Sequence, residues 1–119
     1  MDGEQRQFIR VKERLLTLIT VLATGKVERA LTRDIGAVGV CIMTEHTIEP
    51  GTQLAVELRL PDREAPITFL AEVRWSRPLG EPRDAGTSMA AETGLQFVRV
   101  DAKDRSMMMQ HAALHALPG

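Results

Sequence analysis

The chain has 119 residues, 44% hydrophobic and 26% charged, proportions that fit one globular domain around a single core. A net charge of −1 at pH 7 and an aromatic content of 3% argue against a single-strand nucleic-acid binder, which needs a basic groove lined with stacking rings. No apolar run approaches the roughly 20 residues that cross a bilayer, so no membrane insertion is expected. The single cysteine, Cys41, excludes an internal disulfide and suits a reducing compartment. The first residues lack the basic-then-apolar pattern of a signal peptide, and the expected location is the cytoplasm.

In chain order, residues 1–12 are polar and read as a flexible N-terminal arm. A β-branched apolar run from Leu15 to Ala23 stops at Thr24-Gly25-Lys26, a hairpin turn, and a return strand runs through Val27–Leu31. That strand is expected to end in a turn over Asp34–Gly39, followed by a short buried strand at Val40–Met43. Leu54, Val56, Leu58 and Leu60 alternate on one face, as do Ile67, Phe69, Ala71, Val73 and Trp75, the mark of half-buried strands. Residues 76–92 carry glycine and proline without periodicity and read as a long loop. Leu95–Val100 is the last strand. Asp101 is placed to cap a helix over about 102–116, with Asp104 in its first turn. Short strands at close spacing argue for a β-barrel with one added helix, organised as arm 1–12, barrel 13–100 and helical tail 101–119.

Two motifs about two dozen residues apart stand out. Arg6 and Arg10 form R-x-x-x-R, and Asp34-Ile35-Gly36-Ala37-Val38-Gly39 forms D-x-G-x-x-G. The arginine fork matches phosphate oxygens and the O6/N7 edge of guanine. A carboxylate matches the opposite guanine edge, where N1–H and the exocyclic amine donate. Glycines let the backbone turn and approach a ligand closely. Together these residue types suit an anion that carries guanine. Nothing resembles a nucleophile–base pair, a metal cluster or a phosphate-cradling loop, so no enzymatic activity, catalytic residue or metal is expected.

These motifs resemble those of the PilZ domain, the bacterial receptor module for cyclic di-GMP, whose marks are R-x-x-x-R and (D/N)-x-S-x-x-G. The resemblance continues through Pro50-Gly51-Thr52, Leu58-Arg59-Leu60-Pro61, Ala71-Glu72-Val73-Arg74-Trp75 and Thr93-Gly94-Leu95-Gln96-Phe97, over about residues 4 to 105. It implies an all-β fold, a small six-stranded antiparallel barrel with a C-terminal α-helix. It further implies a cyclic di-GMP site of Arg6, Arg10, Asp34, Gly36 and Gly39. The arginines would clamp the ligand, Asp34 would accept from a guanine edge, and Gly39 would permit the turn. The family serine is Gly36 here, so its side-chain hydroxyl is missing. Arg33 either points into the site or covers a barrel face with its stem. No cofactor is implied beyond the ligand. Ordering of the arm on binding would signal to a protein partner whose identity, like the oligomeric state, the sequence leaves open. The rival reading is an adaptor of the same fold that acts by protein contact without nucleotide.

Other residues have plainer expectations. Trp75 ends an alternating strand and reads as core rather than as a stacking platform. Cys41 reads as an inert buried thiol. His111 and His115, one helical turn apart, have no third ligand nearby and read as surface histidines. Met107-Met108-Met109 reads as helix packing, with at least one methionine exposed and available to a partner.

Overall fold

A computed structural model describes residues 11–12, 14–36, 38–61, 63–80 and 89–115. Among these residues seven strands and a helix occur in the order β1 (Val11–Lys12), β2 (Leu16–Val21), β3 (Val27–Ile35), β4 (Gly39–Thr44), β5 (Gln53–Leu58), β6 (Ile67–Pro78), β7 (Ala91–Val100) and α1 (Ala102–His115). Six strands pair in the order β3-β2-β5-β6-β7-β4, and a β3–β4 pairing closes the ring. Every ladder is antiparallel. Closure leaves the six barrel strands no free edge. The expected six-stranded antiparallel barrel with a C-terminal helix is the fold observed.

Alternation builds the interior. Leu54, Val56 and Leu58 of β5 face Ile67, Phe69, Ala71 and Val73 of β6 and Ile19, Ala30, Ile42 and Leu95 of the other strands, all buried. Phe69 and Phe97 meet edge to face, with centroids 4.9 Å apart and planes at 84°. Buried hydroxyls are satisfied in place: Thr44 and Thr93 lie 3.2 Å apart, and Ser76 is 2.8 Å from Thr93.

Several boundaries differ from the sequence expectation. Val11 and Lys12, assigned to the arm, pair with Ile35 and Asp34 of β3. The link from β1 to β2 is stitched to the same strand, since Leu15 N–H donates to Thr32 Oγ1 at 2.7 Å and Thr32 N–H donates to Leu15 O at 3.0 Å. The strand β3 runs through Asp34 and Ile35, so Asp34 belongs to a strand rather than to a turn. The expected 76–92 loop is shorter, because Ser76, Arg77 and Pro78 pair with Thr93, Glu92 and Ala91. The β2–β3 hairpin turns where expected, with Gly25 at φ 77°.

The helix packs against β6 and closes the core with Met108, which is fully buried, while Met107 and Met109 are half-buried against the same cluster. No methionine of the run is exposed. His111, expected at the surface, keeps only 4% exposure. Cys41 is a buried thiol, as expected. Among the described residues no helix is long and apolar enough to cross a membrane, and no group of three or more His, Cys, Asp or Glu is placed to hold a metal.

Candidate functional site

Two breaks in strand register create the site. In β3 the pairing with β4 shifts between Thr32 and Asp34, leaving Arg33 as an extra residue. Thr32 points inward and Ile35 is buried, so Arg33 and Asp34 both lie on the outer face, where regular alternation would have sent one of them in. In β6 the pairing with β7 shifts between Val73 and Trp75. Val73 is buried, but the extra residue turns Trp75 outward, where it is 41% exposed. The expectation that Trp75 belongs to the core is therefore corrected. The period-two pattern fails at the bulge.

The register now aligns one outward row across four strands. Asp34 stands opposite Cys41, Cys41 opposite Gly94, and Gly94 opposite Trp75. The adjacent row, Ile35, Val40, Leu95 and Val73, is wholly buried and confirms the facing. Three strand spacings separate the ends of the outward row, about 14 Å measured along the curved sheet. The indole spans the first of them. A Cβ on Gly94 would run into the Trp75 ring atoms, so the missing side chain lets the ring lie across β7 toward Asp34.

Beside this row lies a charged cluster. Glu92 on β7 is an outward carboxylate with only 2% exposure of its side chain. Arg77 holds it with Nη2 at 2.7 Å and Nε at 2.9 Å from Oε1, and Arg33 pairs with Oε2 through Nη1. The Arg77 guanidinium also lies 5.3 Å from the Trp75 ring centroid, in cation–π range. The Arg33 head group therefore sits on the outer face, in an ion pair with Glu92.

The glycines of the second motif act through space and hydrogen bonding. Gly39 opens β4 opposite Gln96, and a Cβ there would collide with the Leu95 carbonyl oxygen, with the carbonyl carbon only 3.2 Å away. Gly39 is absent from the glycines with positive φ, so the position requires closeness to β7 rather than left-handed backbone. Gly36 N–H donates to Gly39 O at 2.9 Å and closes the β3–β4 turn. The structure thus brings together Arg33, Asp34, Gly36 and Gly39. Arg6 and Arg10 lie outside the described residues. The sequence gives no sign of Arg77 and Glu92, and its alternation places Trp75 in the core.

The model of the PilZ domain family matches residues 4–113, and the chain belongs to that family. Two solved structures share its fold. One is the inhibitor of motility MotI/DgrA of Bacillus subtilis, with a TM-score of 0.70 and 24% identity over 92% of this chain and 50% of that one. This chain spans about half the length of that protein. The other is the PilZ domain of YcgR from Escherichia coli with c-di-GMP, with a TM-score of 0.69 and 14% identity over 93% of this chain and 91% of that one. A comparison with curated proteins found no match.

Proposed function

We propose that this domain is a cyclic di-GMP receptor whose ligand lies on the outer face between Asp34 and Trp75, under Arg6 and Arg10. The observation that carries this reading is the outward row, with a carboxylate at one end and an indole at the other. Asp34 offers an acceptor for a guanine edge, and Trp75 offers a flat surface for a base. The phosphates need cations, and the N-terminal segment supplies them. Arg10 directly precedes Val11, which pairs with Ile35 next to Asp34. In this reading the segment closes over the ligand, and a partner protein senses closure through the differential stability of the empty and loaded states. Membership of a receptor family, together with c-di-GMP in the YcgR domain, supports the assignment. The role is binding, with no chemistry on the ligand.

Gly36 weakens the site without removing it. It lacks a hydroxyl, and its N–H is already engaged by Gly39 O. One neutral hydrogen bond is worth about 0.5–1.5 kcal/mol, which is a several-fold loss of affinity. Trp75 contributes on a larger scale. Base stacking on an aromatic ring is worth about 1–3 kcal/mol, so Trp75→Leu is expected to weaken binding about tenfold. Its melting temperature should change little, because the ring is half-exposed outside the core.

Calorimetric titration with cyclic di-GMP, alongside linear GMP, tests the assignment. Saturable binding selective for the cyclic dinucleotide is expected. A flat titration of folded protein at concentrations well above micromolar would end the receptor reading and favour the nucleotide-free adaptor.

A further inference from the structure

Glu92 is an outward-facing carboxylate that two guanidinium groups have closed over. Its side chain keeps 2% exposure, while those of Arg33 and Arg77 keep 48% and 66%. Each carboxylate oxygen serves a different arginine: Oε1 accepts from Arg77 Nε at 2.9 Å and lies 2.7 Å from its Nη2, and Oε2 pairs with Arg33 Nη1. Two cations and one anion leave the cluster a net charge of +1. The two arginines come from β3 and β6, the strands at the two ends of the outward row, and their head groups converge on Glu92. Arg33 is the chain neighbour of Asp34, and Arg77 lies 5.3 Å from the Trp75 ring centroid. Neither guanidinium is confined by burial of its own, so their common tether is Glu92.

We infer that Glu92 is a positioning residue, which holds the Arg33 head group over β7 and Arg77 against Trp75 before any ligand arrives. It thereby presents two guanidinium groups from the folded barrel to the phosphates of an anionic dinucleotide, in addition to the N-terminal pair. This inference rests on the receptor reading above. It also makes an unusual demand on sign. A carboxylate that acted only through its charge would repel the ligand, and neutralising it would tighten binding. A carboxylate that acts by holding arginines does the opposite. Without it two long side chains must be ordered in the binding step, and affinity falls.

The test uses Glu92→Gln, which keeps the shape and removes the charge, and Arg77→Ala and Arg33→Ala, which leave the buried carboxylate in place. Each variant is first checked for a cooperative thermal transition. Trp75 is the only tryptophan and the chain has no tyrosine, so intrinsic fluorescence reports the site alone. Without ligand, acrylamide quenching of Trp75 is expected to rise in Glu92→Gln and in Arg77→Ala, and the double variant should add little to either. With ligand, folded Glu92→Gln is expected to bind cyclic di-GMP about tenfold more weakly. Unchanged or tighter binding by Glu92→Gln overturns the inference, as does quenching that neither variant alters. If Glu92→Gln does not fold, the two arginine variants decide by the same binding and quenching criteria. A wild-type chain that binds no dinucleotide defeats the receptor reading instead. The ligand-free quenching then decides alone whether Glu92 holds Arg77 over Trp75.

Discussion

Replacing Arg10 with alanine is expected to weaken cyclic di-GMP binding by about 10- to 100-fold, the largest functional effect of any single substitution here. A charge-assisted hydrogen bond to phosphate contributes about 1.5–3 kcal/mol, and each 1.4 kcal/mol is a factor of ten. The missing hydroxyl at Gly36 is expected to cost less, so on the proposed reading the arginines dominate affinity. Arg29→Ala is the charge-matched control. Arg29 is an exposed cation of β3 paired opposite Leu18, on the part of the strand away from Asp34. At physiological ionic strength the screening length is about 8 Å, so deleting its charge should leave affinity nearly unchanged. Equal losses in the two variants would reduce Arg10 to a contribution to bulk charge. Calorimetry on both proteins makes the comparison directly.

The second large effect concerns stability. Gly39→Val is expected to destabilise the barrel by about 3 kcal/mol, lowering the melting temperature by roughly 10–15 °C. The obstruction is the Leu95 carbonyl of the neighbouring strand rather than the end of a flexible side chain, so relief requires moving β7 away from β4. That seam also carries the outward row, because Cys41 and Gly94 pair across it. Val38→Ala is the control within the same turn, since Val38 is exposed. Its melting temperature should match the wild type. A Gly39→Val protein that melts with the wild type in a circular-dichroism scan would show that the β4–β7 contact is looser than the structure has it.

Much of the fold was legible because it rests on period two. In β5 and the first half of β6 each inward residue is apolar, and Leu54, Val56, Leu58, Ile67, Phe69, Ala71 and Val73 are all buried as the alternation requires. The proposed ligand face was less legible, because it depends on two single-residue shifts. The extra residues at Arg33 and Arg74 bear no glycine or proline to announce them, and each inverts the facing of the strand residues beyond it. Extrapolated alternation therefore put Trp75 inside. The loop over 76–92 was drawn too long for a related reason: Ser76 and Arg77 look polar and irregular in sequence, yet they pair with Thr93 and Glu92. The methionine run was misjudged because a helix lying across a curved barrel contacts it over a wide arc. Met107 and Met109 reach the core from either side of Met108. Asp34, Gly36 and Gly39 stand out in sequence as a motif, and register and packing show where the fold puts them.

The most direct test of the receptor assignment is a fluorescence titration of the unmodified protein with cyclic di-GMP, since emission comes from Trp75 alone. A ligand seated between Asp34 and Trp75 should produce a saturable change in Trp75 emission, with linear GMP producing none at the same concentrations. Binding detected by calorimetry without any change at Trp75 would contradict the location of the site, and no binding by either method would contradict the receptor itself.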